Sequence, residues 1–274
     1  MASRLVRQLA GFAPPGLRRG IAGAMVDLKT LPARLSDPAR RAEPWSFVHN
    51  VGNGDFQAIG AMLLANLQEH AGLRRVDQVL DIGCGNGRVA AQLAPFLNCG
   101  GYVGFDISRR GIQACRRQFG SQRHMRFEHL DVWNGEYNAK GKVAEIETIF
   151  PAADASIDLA FATSVFTHMR MPGVKRYLAE AARVLRAGGR LAFTAFALEP
   201  GREATAEFPF KPFDVTSSAV DPRYPERAIA YRREALEAAV EAAGLGVAKF
   251  RRGYWAPGWD YDGGQDLFVV EKPG

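Results

Sequence analysis

Cysteine is scarce in this chain of 274 residues, with three in all, at Cys84, Cys99 and Cys115. An odd number of cysteines, in segments that read as core elements, excludes a disulfide framework and points to a reducing, cytoplasmic compartment. Long apolar runs are missing too. No stretch reaches the roughly 20 uninterrupted apolar residues of a membrane span. Arg4 and Arg7 precede an apolar stretch that Pro14-Pro15 breaks, without a clean cleavage site, so no secretory signal is expected. Acidic residues are sparse before Trp45, where Asp27, Asp37 and Glu43 face eight arginines and lysines. That imbalance supplies most of the formal net charge of +6. Residues 1–44 therefore read as a basic N-terminal helical extension. Leu5, Leu9 and Phe12 share one helical face, and Leu17, Ile21, Met25 and Leu28 share a second after the prolines. The extension is either a cap packed on the domain or a basic amphipathic segment for an anionic membrane or acidic substrate. It lacks the aromatic interleaving of a nucleic-acid stacking surface.

What is present is concentrated in Val79-Leu80-Asp81-Ile82-Gly83-Cys84-Gly85-Asn86-Gly87-Arg88. An apolar, β-branched run enters a glycine-rich turn, and Val89 to Leu93 behind it has helical composition, so the segment reads as strand, turn, helix. Dinucleotide sites use G-x-G-x-x-G and rest a pyrophosphate on the helix N-terminus. Here the spacing is Gly83-x-Gly85-x-Gly87, and Arg88 stands where the third glycine of that pattern would fall. Asp81 would repel a pyrophosphate by about 1 kcal/mol even at water's dielectric. A cationic ligand reverses the sign. S-adenosylmethionine, with a sulfonium, an ammonium and no phosphate, suits a carboxylate beside bare backbone. Asp81 to Gly87 resembles the first motif of the class I S-adenosylmethionine-dependent methyltransferases.

Two later acids extend the resemblance. Tyr102-Val103-Gly104-Phe105-Asp106-Ile107 is a second apolar run, and Asp106 lies about 20 residues past the glycines, where a ribose-binding carboxylate is expected. Met125 to Val132 is a third run, ending at Asp131, which in the resembled family accepts from the adenine amino group. The resemblance thus implies a cofactor site of Asp81, Gly83, Cys84, Gly85, Asn86, Gly87, Asp106, Ile107, Asp131 and Val132. In many such enzymes a segment before the first strand folds over the cofactor. Phe47 or Phe56 is expected there, near the methionine moiety. Asp55 reads as the cap of a helix from Phe56 to about Ala71 that Gly72 ends.

The remaining elements frame an acceptor site. Trp133 to Pro151 is longer than a βα loop needs and reads as a surface excursion or an acceptor wall, with Val143 to Phe150 helix-like. Ile157 to Ala162 reads as the fourth strand, and Thr163 to Met169 follows at its carboxyl end, where open α/β sheets present groups to ligands. His168 is the one of five histidines placed there, and its imidazole can take a proton from a hydroxyl near neutral pH. Ser164-Val165-Phe166-Thr167-His168-Met169, with Gly54-Asp55-Phe56, Tyr137-Asn138 and Gln265-Asp266, resembles a bacterial subgroup associated with natural products and polysaccharides. A helix is expected over Lys175 to Leu185, then a Gly188-Gly189 turn and a buried strand from Leu191 to Phe196. Glu199 to Arg227, rich in proline and phenylalanine, reads as an irregular cover or a long surface loop. A helix from Arg232 to Ala243 precedes paired strands at Val247 to Phe250 and Leu267 to Val270. Tyr254, Trp255, Trp259 and Tyr261 lie between those strands.

The expected fold is α/β, a doubly wound, Rossmann-like seven-stranded sheet with an antiparallel last strand. The extension at 1–44 precedes one methyltransferase domain over 45–274, with insertions near 133–151 and 199–227. The implied function is methyl transfer from S-adenosyl-L-methionine, giving S-adenosyl-L-homocysteine, onto a hydroxyl of a small molecule, sugar or secondary metabolite, with His168 as base. Nitrogen, carbon and lipid-linked acceptors stay open, as do a dinucleotide oxidoreductase and a non-catalytic scaffold. No carboxylate cluster of the metal-dependent kind appears, so no metal is expected. Neither an Asn/Asp-Pro-Pro-aromatic motif nor a basic aromatic-rich domain appears, so nucleic acid is not the expected acceptor.

Overall fold

The computed structural model describes residues 15–37, 40, 43–46 and 55–274. The expectations for Leu5, Leu9, Phe12 and Phe47 lie outside these residues. Helix α1 (Pro15–Ser36) comes first, and α2 (Phe56–Ala71) begins where Asp55 accepts the Ala58 N–H at 2.9 Å. Gly72, with φ 63°, closes α2 in the left-handed conformation that glycine adopts without a Cβ penalty.

Strand β1 (Gln78–Ile82) leads through the glycine turn into α3 (Ala90–Phe96). Then follow β2 (Gly101–Asp106), α4 (Arg109–Phe119), β3 (Met125–His129), β4 (Ile157–Ala162), α5 (Met171–Val184) and β5 (Leu185–Leu198). The chain ends with β6 (Lys211–Pro212), β7 (Ser217–Ala219), β8 (Ile229–Arg232), α6 (Arg233–Ala242), β9 (Gly246–Arg251) and β10 (Asp266–Glu271). Strands β3, β2, β1, β4 and β5 pair in parallel in that order. The last strand, β10, runs antiparallel between β5 and β9. These seven are the expected sheet.

Among the described residues the sheet has ten strands, not seven. The outer part of β5 pairs in parallel with β8 through Phe196 to Leu198, and β7 and β6 continue antiparallel beyond it. The stretch 199–227 is thus partly ordered as sheet, because its phenylalanines have a core to join: Phe196, Phe210, Ala230 and Trp255 form a buried cluster of their own. The glycine turn before Leu191 also differs from expectation. It is absorbed into β5 as an irregularity, with the register jumping from Ile157↔Leu185 to Leu159↔Arg190 and Gly188 at φ 70°. Val143 to Phe150 is not a helix but an extended path with one 3₁₀ turn at Glu145–Glu147.

Neighbouring residues on one strand serve opposite layers. Leu80, Phe193 and Phe268 pack with Val174, Leu178, Leu236 and Val240 of α5 and α6. Val79, Ala192 and Val269 pack with Leu67, Leu93 and Ile112 of α2, α3 and α4. Both faces are covered, so β strands read as continuous apolar runs rather than alternating ones. In α1 the expected burial is reversed. Ile21, Met25 and Leu28 are exposed, while Asp27 and Arg34 are buried. Arg34 explains this: it donates to the carbonyls of Glu43 (2.6 Å) and Pro44 (2.8 Å) and lies 4.5 Å from the Trp45 ring centroid. No helix among the described residues is long and apolar enough to cross a membrane.

One buried carboxylate fixes the end of β10 against the rest. Asp266 accepts from the backbone N–H groups of Ala197 (2.8 Å) and Gly253 (2.9 Å), from Trp255 Nε1 (2.8 Å) and from Arg202 Nη2 (2.7 Å). Its neighbour Gln265 is thereby held at the carboxyl edge of the sheet. Asp266→Ala removes the carboxylate that Arg202 and three further donors share, leaving Arg202 only backbone carbonyls and the more distant Glu199, and should cost about 3–5 kcal/mol of unfolding free energy in urea. A loss below about 1 kcal/mol would show that water replaces the carboxylate freely.

Candidate functional site

The glycine turn lies beyond the carboxyl end of β1, and glycine is needed there on two counts. Gly83, Gly85 and Gly87 have φ of 77°, 58° and 86°. A Cβ on Gly83 would sit 2.5 Å from Val165 Cγ2, and one on Gly87 would sit 2.8 Å from Phe119. The turn is tied to β2, since the N–H groups of Gly83 and Cys84 both donate to the Phe105 carbonyl, at 2.9 and 3.0 Å. Gly85 N–H donates to Asp106 Oδ2 at 2.8 Å, and Ser108 N–H to Asp106 Oδ1 at 2.6 Å.

Two hollows open along this edge. The smaller, about 260 Å³, is walled by Asp81, Cys84, Arg88 and Tyr261, with Ile59, Met62 and Leu63 from α2. The larger, about 540 Å³, is walled by Asp106, Ile107, Val132 and Trp133 and by Asn134, Tyr137, Glu145, His168, Tyr177 and Phe208. Gly83, Gly85, Thr163, Ser164 and Gln265 belong to both.

Most of the expected cofactor residues meet here, and the exceptions are local. Asp131 turns its carboxylate onto Asn138 Nδ2 at 3.2 Å, and the wall is made by the next residue, Val132. Asn86 and Gly87 stand behind the wall rather than in it. Phe56 is buried and lies 5.9 Å from the Arg88 guanidinium carbon, so α2 reaches the hollow one turn later, with Ile59, Met62 and Leu63.

Asp81 is buried and accepts from the Tyr102 hydroxyl at 2.7 Å. Burial lifts its carboxyl to about 8, against the pull of that hydrogen bond. Burial also raises the thiol of Cys84, beside Cys115, well above its ordinary value. In the larger hollow, burial lifts the Glu145 carboxyl to about 7, while the Asn134 amide opposes the shift.

His168 ends a 3₁₀ turn, Phe166–His168, just past β4. Its Nδ1 lies 2.8 Å from the Glu226 carbonyl oxygen. A carbonyl only accepts, so Nδ1 carries the proton and Nε2 keeps the lone pair. Nε2 lies 3.3 Å from the Tyr137 hydroxyl, and the two rings meet edge-on with centroids 4.9 Å apart. Ser164, between the hollows, has φ 55°, a left-handed conformation that non-glycine residues seldom adopt and that Ala155, in an exposed turn, shares. Its N–H donates to Thr194 Oγ1 at 2.8 Å, and that hydroxyl donates to Gln265 Oε1 at 2.6 Å.

Sequence reasoning did not single out Glu145, Glu226, Ser164 or Thr194. Ser164 follows a strand like its neighbour His168, a usable signal. Glu226 contributes a carbonyl to His168, and a carbonyl leaves no trace in residue type. Among the described residues no three His, Cys, Asp or Glu side chains gather as a metal site would require.

Residues 80–193 match the model of the methyltransferase domain family. A 27-O-demethylrifamycin SV methyltransferase of Amycolatopsis mediterranei is 36% identical over 138 residues, 49% of this chain and 45% of that protein. A phthiotriol/phenolphthiotriol dimycocerosates methyltransferase of Mycobacterium ulcerans is 33% identical over 117 residues, 43% of this chain and 36% of that protein. The matches span about half the length, or less, of these curated relatives. The crystal structure of the 4+2 cyclase SpnF superposes with a TM-score of 0.56, covering 93% of this chain and 96% of that one at 19% identity, a likeness of fold alone. Residues 80–193 are thus similar to a methyltransferase domain, within a fold that the chain shares with that structure. That match names methyl transfer and not the dinucleotide oxidoreductase chemistry of the alternative.

Asp81 also makes stability depend on pH. Unfolded, its carboxyl titrates near the ordinary value of about 4. Between that value and about 8 the folded protein holds a proton that the unfolded chain has released, so this contribution falls as pH rises through the interval. Asp81→Asn should remove the fall. Urea unfolding should show the variant gaining on the native protein steadily between about pH 5 and pH 8, whereas parallel curves would mean that the buried carboxylate is accommodated with its charge.

Proposed function

We propose that the protein transfers a methyl group from S-adenosyl-L-methionine to a hydroxyl of a small-molecule acceptor, with S-adenosyl-L-homocysteine as the second product. The donor set suits that cofactor. Gly83 and Gly85 present backbone without side chains to both hollows, and Asp106 keeps acceptor capacity for two ribose hydroxyls after taking two backbone N–H groups. Ile107 and Val132 offer apolar surface to a flat adenine, and Asp81 and the bare turn in the smaller hollow suit a cationic amino-acid end. When bound, the cofactor supplies an electrophilic methyl whose bonding pair returns to sulfur.

The chain's own residues have the other tasks. Holding two reactants in line can supply several kcal/mol of the barrier, roughly 7–11 at the upper end. Trp133, Tyr137, Met169 and Phe208 wall the larger hollow with apolar and aromatic surface, which favours an acceptor with an apolar skeleton. The observation that carries the hydroxyl reading is His168, whose Nδ1–H is spent on the Glu226 carbonyl, so that Nε2 is its proton-accepting nitrogen in that hollow. A methylated nitrogen or carbon needs no base of this kind when the atom already carries a lone pair or is nucleophilic, so a fixed imidazole tautomer supports oxygen. Two relatives named for small-molecule or lipid substrates are consistent with such an acceptor.

The deciding experiment incubates the protein with methyl-labelled S-adenosylmethionine and an extract of its host, then separates lipid, glycan, small-molecule, protein and RNA fractions. Label in a small-molecule or glycan fraction, released as an O-methyl ether on analysis, is expected. Label confined to lipid would move the acceptor to a lipid-linked class, and N- or C-methyl products would overturn the hydroxyl reading. Asp106→Ala should weaken S-adenosylhomocysteine binding in calorimetry by about 10- to 100-fold, the worth of hydrogen bonds to a charged group. Unchanged affinity would remove the ribose assignment. His168→Ala should keep that affinity and lower turnover by about 100-fold or more; full turnover would leave the histidine a structural residue.

A further inference from the structure

We propose that Tyr137 is the group that meets the acceptor hydroxyl, taking its proton while passing the tyrosine's own proton to His168 Nε2. This rests on the hydroxyl-methylation reading above. Three observations lead to it.

The basic nitrogen of His168 already faces a donor. With Nδ1–H committed to the Glu226 carbonyl at 2.8 Å, Nε2 can only accept, and the Tyr137 hydroxyl is 3.3 Å from it. An acceptor molecule that approached Nε2 directly would have to displace that hydroxyl. A phenol that donates to Nε2 keeps its oxygen lone pairs for another donor, and Tyr137 lines the larger hollow.

The pair is also built as a unit. Asn134 Nδ2 donates to the backbone carbonyl of His168 at 2.8 Å, while Asn134 Oδ1 accepts the N–H of Tyr137 at 3.0 Å and of Glu136 at 3.1 Å. One buried amide therefore joins the backbone of the excursion after β3 to that of the turn after β4. The tie lies between segments 34 residues apart, and it sets the tyrosine against the imidazole.

The proton count closes. The acceptor O–H bond breaks and its electron pair becomes the new O–CH₃ bond. The proton moves to Tyr137 Oη as the Tyr137 proton moves to Nε2. The tyrosine ends neutral and the histidine ends as imidazolium, its Nδ1–H still on Glu226. Since a free phenol ionises only near pH 10 and an imidazole near 6.5, the proton comes to rest on His168.

The test begins with the imidazole itself, in the whole chain without acceptor. Long-range ¹H–¹⁵N NMR of His168, assigned by loss of its signals in His168→Gln, should show the Nδ1–H tautomer. Tyr137→Phe should move the Nε2 resonance downfield with Nδ1 unmoved, as a lone pair does on losing its donor. The same variant should lower kcat at least tenfold on the extract fraction that takes label, with the KM for S-adenosylmethionine within about twofold of the native value. An Nε2 resonance that stays in place overturns the proposal, because no tyrosine–histidine bond then exists. A moved resonance with undiminished kcat overturns it as well, leaving the tyrosine a restraint on the ring. If the native protein labels no hydroxyl at all, the hydroxyl reading fails, and the intact NMR response in Tyr137→Phe tells that failure from the other two.

Discussion

The constraint that the rest of this site depends on is the attachment of the glycine turn to the end of β2. A single carbonyl, that of Phe105, takes the N–H groups of both Gly83 and Cys84, and the Asp106 carboxylate takes that of Gly85. Three consecutive donors are thereby aimed back into the sheet, which the φ values at Gly83 and Gly85 permit and a Cβ would oppose. The turn cannot sag into the crevice, and the crevice exists because of it. Asp106 is consequently shared. One oxygen holds the turn, the other caps the start of α4 through Ser108, and what remains of its four lone-pair positions faces the larger hollow. A carboxylate with two fixed donors is already oriented when a ligand arrives, and that orientation lowers the entropic cost of binding.

The acids of the crevice are held at a cost in solvation. Asp81 takes the Tyr102 hydroxyl as its side-chain donor among the described residues, and burial raises its carboxyl to about 8. Desolvation disfavours the charged form of an acid, whereas a nearby cation favours it. A cationic ligand in the smaller hollow would therefore both receive and restore this charge. The dinucleotide pattern offers no such exchange, since a pyrophosphate would raise the Asp81 carboxyl further. The glycine spacing and the acid thus express one preference in two ways, and Arg88 in place of a third glycine is consistent with it. Its side chain is mostly buried against Phe56, where burial lowers its pKa.

The surroundings of the glycine turn were readable because strand ends carry short-range signals. Asp81, Gly83, Gly85, Asp106 and Ile107 each lie within a few residues of a turn, and their placement needs only the parallel order of three strands. Helix α2 was readable to the residue because both its ends are chemically marked, by Asp55 and by Gly72. Where the reading departed from the structure, a distant partner decided. Ile21, Met25 and Leu28 have the spacing of a buried face, yet Arg34 and Asp27 turn the other face inward through contacts with Glu43, Pro44 and Ser46. The three extra strands formed because Phe210 and Trp255, 45 positions apart in the numbering, found each other beside Phe196. Glu226 could not have been found from residue type at all, since the atom it gives to His168 is common to every residue.

The family match ends at residue 193, and within it lie the turn, Asp106, Tyr137 and His168. Phe208, Glu226 and Gln265 lie outside it, yet they complete the wall of the larger hollow or fix the tautomer of its histidine. The Glu226 carbonyl is itself positioned from elsewhere, by the side-chain pair of Glu226 with Arg170 at 2.9 Å and by the 3₁₀ turn Pro225–Arg227. A substitution in the cover can therefore shift the His168 imidazole without touching a residue of the glycine turn. The sheet and its turn are tied together by backbone bonds, whereas the excursion after β3 and the cover after β5 are irregular segments that shape the larger hollow. In this chain Asn134 and Glu226 bind those two segments to the same histidine, so the shape of the larger hollow is coupled to the tautomer of His168.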